Sequence, residues 1–174
     1  MNRNVVTLFC ALVLLVAGCG SEKAVDFEQL VERDGIYYEV NSELGFTGRA
    51  VTTYENGQKK YEGTWKNGKR NGEDTGWYEN GQKKYEGTCK NGDWVGKRTA
   101  WYENGQKKYE STTKNGKMEG KHSQWYENGQ KQVEATWKDG KMIESTIWDE
   151  MGERIKPCNP LIVGSNPNIG RCER

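Results

Sequence analysis

His122 is the only histidine in this chain of 174 residues. A zinc site built on imidazole needs a second ligand of that kind, and no Cys/His cluster supplies one. Ser123 adjoins His122, and neighbours on an extended strand point to opposite faces, so the two cannot act as nucleophile and base. Carboxylates are numerous, but Glu55, Glu79, Glu103 and Glu127 recur every 24 residues. A catalytic pair is local and unusual, whereas these read as solubilising charges at strand ends. No glycine precedes a helical pattern as a phosphate loop requires. The chain therefore reads as non-enzymatic, with no metal, no cofactor and no small-molecule substrate. The chemistry left is binding through rings, since Tyr and Trp dominate interface hot spots. Tyr61, Tyr78, Tyr85, Tyr102, Tyr109 and Tyr126 are the first candidate row. Trp77, Trp101 and Trp125 are the competing one.

The rings sit in fixed slots. Tyr-Glu-Asn-Gly-Gln occurs four times, starting at Tyr54, Tyr78, Tyr102 and Tyr126. A strict period of this kind marks a repeat protein built from one small supersecondary unit. Trp65, Cys89, Thr113 and Trp137 share one slot, and the Gly72, Gly96, Gly120 series extends back to Gly48. A degenerate unit thus precedes the clear ones. Trp148-Asp149-Glu150-Met151-Gly152-Glu153 echoes the motif one residue early, as a fading unit.

Each unit carries two Asn-Gly or Asp-Gly steps, the strongest short signal for a two-residue hairpin turn with positive φ at both positions. The segments between them are too short and polar for stable helices. The spacing predicts an all-β fold: an elongated, twisted antiparallel β-meander of 24-residue hairpin repeats. Pairing across the turns sets Tyr78 against Lys83, Trp77 against Lys84, Tyr85 against Arg98 and His122 against Tyr109. One face then holds Tyr78, Lys83, Tyr85, Gly87, Cys89, Trp94, Gly96 and Tyr102. The other holds Trp77, Lys84, Glu86, Thr88, Lys97, Thr99 and Trp101. Glu86–Lys97 and Glu110–Lys121 are expected as opposed charges. Lys84 over Trp77 and Lys108 over Trp101 are expected as cation–π contacts. Glu62 opposite Glu73 is the discordant pair.

The segment 61–72, Tyr-Glu-Gly-Thr-Trp-Lys-Asn-Gly-Lys-Arg-Asn-Gly, its weaker copies and the linking Trp-Tyr-Glu-Asn-Gly-Gln resemble the bacterial variant of the MORN repeat. The chain is similar more narrowly to the YwqK-type proteins classed as antitoxin components, whose opening resembles residues 30–38 followed by Phe46-Thr47-Gly48. The resemblance spans roughly residues 30–156. It implies a protein partner, with a toxin-neutralising or immunity-like role. Later copies drift: Ser111 and Ala135 replace Gly63, and Val133 replaces Tyr61.

The N-terminus carries Arg3 and a short apolar run, 5–16, too short to span a bilayer. Val16-Ala17-Gly18-Cys19 resembles the bacterial lipoprotein cleavage box. That implies cleavage before Cys19, acylation of Cys19 (palmitate) and a membrane anchor. An ordinary signal with Cys19 as bystander, or an uncleaved anchor, are the alternatives. Gly20 after the cysteine implies, under enteric-type sorting, an outer-membrane protein facing the periplasm. The organisation is thus 1–18 signal peptide, 19–34 tether and lead-in, 35–156 repeat domain and 157–174 tail loop.

A formal net charge of +1 argues against nucleic acid, which calls for a basic excess. Cys158 and Cys172 bracket a turn-rich tail outside the repeats. A disulfide there contributes up to about 3 kcal/mol by closing the loop. Free thiols or a metal pair are the alternatives, and no further Cys or His lies nearby for a metal. Cys89 reads as a small packed residue. Two functional readings follow: a lipid-anchored protein-binding module with a toxin partner, or an envelope scaffold lipoprotein without one.

Overall fold

The computed structural model describes residues 24–155. Cys19, Cys158 and Cys172 lie outside the described residues, and with them the signal, acylation and disulfide expectations. Most of the described chain is strand: β1 (Val25–Asp26), β2 (Leu30–Arg33), β3 (Ile36–Glu39), β4 (Gly48–Thr53), β5 (Lys59–Lys66), β6 (Lys69–Trp77), β7 (Lys83–Lys90), β8 (Asp93–Trp101), β9 (Lys107–Lys114), β10 (Lys117–Met118), β11 (Gly120–Trp125), β12 (Lys131–Lys138), β13 (Lys141–Trp148) and β14 (Arg154–Ile155). From β4 onward each strand pairs antiparallel with the next, β10 being a short spur on β9, so one long meander results as expected.

Two kinds of turn alternate along it. Asn67-Gly68, Asn91-Gly92, Asn115-Gly116 and Asp139-Gly140 have positive φ at both residues (51/74°, 54/96°, 51/72° and 51/77°). These are the expected two-residue turns, and their backbone twist matches that of the flanking strands. The pentapeptide turns differ from expectation. There Gly57, Gly81, Gly105 and Gly129 have positive φ, but the preceding asparagines do not. Gly81 N–H donates to Tyr78 C=O at 3.0 Å and Tyr78 N–H to Gln82 C=O at 2.8 Å, the pattern of a longer loop with a glycine bulge. The Asn80 side chain explains the choice: its Oδ1 accepts from Gln82 N–H at 3.0 Å, a local Asx turn.

Bulges also revise the register. Past the Asn67-Gly68 and Asn91-Gly92 turns the following strand slips by two residues, at Gly72 and Gly96, which have φ of 136° and 70°. Tyr85 therefore opposes Ala100, Glu86 opposes Thr99 and Gly87 opposes Arg98. The expected Tyr85–Arg98 and Glu86–Lys97 pairs do not form. Glu62 opposes Thr75, which removes the expected Glu62–Glu73 clash. His122 opposes Ala135, with Tyr109 one strand away opposite Gln124. Lys97 pairs instead with Glu110 at 3.1 Å, in place of Lys121. A slip of two preserves side-chain parity, so the two faces survive. A one-residue bulge at Trp77 does not preserve it. Trp77 opposes Lys83 and Gly76 opposes Tyr85, which moves Lys83 to the tryptophan face.

The lead-in departs furthest from the sequence reading. It is structured before residue 35, and Asp34-Gly35 is itself the turn of the β2–β3 hairpin, a separate two-stranded sheet. β1 joins the main sheet in parallel with β4, so the meander is not antiparallel throughout. A 3-10 turn, Phe27–Gln29, folds the hairpin over the first unit. Phe46, Ala50 and Trp65 are buried there beneath Val25, Phe27, Leu30 and Tyr37. Among the described residues this is the one place with a second layer; elsewhere units are held by contact with their neighbours.

Candidate functional site

The rings named from sequence divide by role once the turns are placed. Tyr54, Tyr78, Tyr102 and Tyr126 begin the pentapeptide turns. Each hydroxyl donates to the backbone carbonyl of the tryptophan one unit ahead: Trp77, Trp101, Trp125 and Trp148, at 2.8, 2.9, 2.8 and 2.9 Å. Asn80, Asn104 and Asn128 run a parallel ladder to the Glu103, Glu127 and Glu150 carbonyls, each at 2.9 Å. Tyr78, Tyr102 and Tyr126 are thus stays between units, at the turn ends of the strands and not at mid-strand beside Tyr85 as expected.

Trp77, Trp101 and Trp125 do share a face, as expected. They are half-buried among ion pairs that repeat with the unit: Lys59–Glu62 at 2.6 Å, Lys83–Glu86, Lys107–Glu110 at 3.0 Å and Lys131–Glu134 at 2.5 Å. The cation–π partners shift with the bulge. Lys59 lies over Trp77 and Lys107 over Trp125, at 5.5 and 5.6 Å, while Lys84 and Lys108 lie over Tyr78 and Tyr102. Hydrogen bonds from Lys107 and Lys97 hold the Glu110 carboxyl below its usual range, against some desolvation. This face is electrically satisfied.

The opposite face is not. Tyr61, Tyr85 and Tyr109 stand on it, one per unit, as sequence placed them. Tyr85 lies across Gly76, where an added Cβ would meet the ring at 2.5 Å. Between the tyrosines runs a central row that register makes continuous: Ala50, Gly63, Asp74, Gly87, Arg98, Ser111. His122 and Ala135 carry it on. Small residues alternate with one slot that changes chemistry in every unit: Asp74, then Arg98, then His122.

Asp74 is 1 % exposed. Tyr61 Oη donates to its Oδ2 at 3.0 Å, and Arg70 stands 3.7 Å from the same oxygen. Burial pushes the Asp74 carboxyl up, while Tyr61 and Arg70 pull it back. Burial and the adjoining Asp74 raise both Tyr61 and Tyr85. Arg98 has its guanidinium 4.2 Å from the Trp94 ring centre and 5.2 Å from that of Tyr109. His122 stacks on Tyr109 at 6.4 Å, and burial pulls its pKa below the usual value. Cys89, 2 % exposed, is the small packed residue expected, its thiol pushed up to about 11 by burial.

Among the described residues, the buried side-chain polar atoms without a hydrogen-bond partner are Thr52 Oγ1, Trp65 Nε1, Asp74 Oδ1, Arg98 Nε, Tyr109 Oη, His122 Nδ1 and Trp137 Nε1. Every one lies on the tyrosine face. Orphaned buried groups are rare in folded proteins because each costs about 1–3 kcal/mol, so a one-sided set distinguishes this face from the tryptophan face. The lead-in also gives this single-layer ribbon a concavity. Phe27 and Tyr37 on one side and Tyr61, Trp65, Arg70 and Tyr85 on the other line an open hollow of about 740 Å³.

Each structural unit is a hairpin closed by the pentapeptide turn and joined to the next by a two-residue turn. The model of the MORN repeat variant matches four such hairpins, at residues 46–67, 70–91, 94–115 and 118–139, together about half of the chain. The chain belongs to the MORN repeat variant family. The first MORN match includes the unit that sequence reading treated as degenerate. The fading unit beyond the fourth keeps the same turn, with Gly152 N–H on Asp149 C=O at 3.0 Å. No curated protein matches the chain.

The residues that sequence reasoning missed as a site are Asp74, Arg70 and Arg98. The signal was present in the 24-residue alignment of units, where Asp74, Arg98 and His122 occupy one otherwise regular slot. It reads as drift until burial shows that the slot faces inward.

Proposed function

We propose that this MORN-repeat chain is a non-catalytic binding module that engages a protein partner through its tyrosine face. The observation that carries the reading is the confinement of the orphaned buried polar atoms to that face. A polypeptide supplies both donors and acceptors along its length, which suits a row that presents Asp, Arg and His in turn. The hollow beneath the lead-in adds an aromatic wall of the kind that anchors interface side chains. In its finer form the partner is a toxin, neutralised at the cell envelope, with this chain held there by a lipid on Cys19. The family resemblance and the Val16-Ala17-Gly18-Cys19 box support that form.

The test is co-expression with the product of any adjoining toxin-like gene, followed by size-exclusion chromatography. A stable one-to-one complex that Tyr109→Ser weakens, while Trp101→Ser does not, supports the reading. A complex lost only by Trp101→Ser moves the site to the other face and overturns it. Absence of any complex, with the chain retained in the envelope fraction, favours the scaffold lipoprotein instead.

A further inference from the structure

We propose that Arg98 is the receptor for a carboxylate carried on an acidic, aromatic-bearing segment of the protein partner. This rests on the tyrosine face being the binding face, and it names the chemistry of what binds there. Two other arginines of the sheet have carboxylates: Arg49 pairs with Glu62 at 3.0 Å and Arg70 approaches Asp74 at 3.7 Å. Among the described residues Arg98 takes part in no ion pair. The neighbouring carboxylate, Asp74, feels the Arg98 charge, but Tyr61 and Arg70 hold it at contact distance. Arg98 is half-buried, and its Nε is buried without an acceptor. Partial burial of a charge without a contact partner is costly unless something pairs with it.

Geometry prepares that pairing. Trp94, Tyr109 and Tyr85, at 4.2, 5.2 and 5.7 Å, frame the guanidinium plane. Rings hold an arginine flat without consuming its N–H donors. A carboxylate that approaches end-on takes one N–H from each Nη, a bidentate arrangement that leaves the sealed Nε where it is. A Lys at this position could not form that fork.

The chain itself shows what covers this face. On the first unit the occupant is the lead-in, whose Phe27 meets the Tyr61 and Trp65 rings at 5.3 and 5.6 Å. Phe27 sits between Asp26 and Glu28, so the covering segment is aromatic and acidic. It reaches only the start of the sheet. The next tyrosines in the same slot, Tyr85 and Tyr109, flank Arg98 with no such layer among the described residues. A partner segment of like composition continues the cover by one unit, with its ring among the tyrosines and its acid on Arg98.

The experiment is calorimetric titration of the full chain with a synthetic capped peptide bearing two Glu-Phe-Glu motifs. A Lys-Phe-Lys peptide, inorganic phosphate and phosphatidylglycerol vesicles serve as comparison ligands. Saturable binding of the acidic peptide is expected, weakened about tenfold or more in Arg98→Met, the loss of one charge-assisted pair. Arg98→Lys, which keeps the charge and most of the packing, is expected to remain severalfold weaker than the parent. Lys97→Met, on the opposite face, is expected to bind as the parent does. Circular dichroism confirms that each variant is folded. Equal affinity in Arg98→Met, full affinity in Arg98→Lys, or no binding of the peptide overturns the proposal. So does Arg98-dependent binding of phosphate or vesicles without the peptide. The peptide needs no known partner, so its failure stays distinct from failure of the complex described above.

Discussion

The Tyr78 hydroxyl donates to the Trp101 backbone carbonyl at 2.9 Å, from one repeat to the next. The same bond recurs for Tyr54, Tyr102 and Tyr126, which makes it the stay that fixes unit to unit. A net contribution of about 0.5–1.5 kcal/mol is typical of such a bond. Tyr78→Phe should lower stability by that amount in urea unfolding with little change in m-value. Partner binding should be retained, because the ring keeps its place. Loss of binding without loss of stability would return Tyr78 to the binding face.

Gly68 joins the lead-in to the sheet. Its N–H donates to Phe46 C=O at 2.8 Å, and its C=O accepts from Tyr37 N–H at 2.9 Å. It has φ of +74°, and an added Cβ would come within 2.7 Å of the Tyr37 carbonyl oxygen. Backbone cannot step aside as a flexible side chain can. Gly68→Ala should cost about 2 kcal/mol or more, through strain and the parting of hairpin from sheet. Hydrogen exchange should show protection lost first over residues 30–39. The equivalent Gly116 has open space around it, so Gly116→Ala should cost less.

Asp74 has a folded pKa raised above 3.8 by burial. The unfolded chain therefore releases this proton first as pH rises. Its contribution to stability is full below about pH 3.8 and is lost as pH climbs through the folded value. Asp74→Asn removes the buried charge and keeps an oxygen for Tyr61. The variant should gain stability relative to the parent as pH rises from 3 to 7, in paired denaturation curves. A flat difference across that range would show that Asp74 is not paying for desolvation.

His122 titrates with the opposite sense. Burial lowers its folded pKa below 6.5, so the unfolded chain takes up the proton first as pH falls. Its contribution is full above about pH 6.5 and declines as pH drops through the folded value. Gln124 Nε2 lies 2.9 Å from His122 Nε2, an amide donor facing a ring nitrogen that must stay unprotonated. His122→Gln should match the parent near pH 8 and surpass it progressively below pH 6.5. Thermal melts over that range check the sign.

Cys19 carries the proposed anchor. Cys19→Ser should move the protein to the soluble fraction or leave it unprocessed. Intact mass of the parent should show acyl chains on a mature N-terminus at Cys19. A parent mass without lipid would remove the anchor and leave the repeat fold untouched.

Much of the architecture was legible because a repeat states its own grammar. The four pentapeptides set the unit, and Asn91-Gly92 set a turn whose φ values of 54° and 96° match the expected type. Asn80-Gly81 has the same two letters and a different conformation. There the Asn80 amide donates to Glu103 C=O at 2.9 Å, a bond to another unit that no local reading includes. The lead-in was illegible for a similar reason. Val25–Asp26 is too short to declare itself a strand until β4 lies beside it.

The sequence by itself determined the period, the meander and the placing of Tyr61, Tyr85 and Tyr109 on one face and Trp77, Trp101 and Trp125 on the other. Alternation has a period of two, and the Gly96 slip of two residues leaves it intact. Only the tertiary structure decided the partners across the strands. Bulges displaced Arg98 from Tyr85 to Gly87 and moved Lys83 beside Trp77. The tertiary structure alone also separated the Tyr78 stay from the Tyr85 face. Above all it turned a drifting slot into a buried row, because burial of Asp74 and the unpaired state of Arg98 depend on side chains contributed by neighbouring strands.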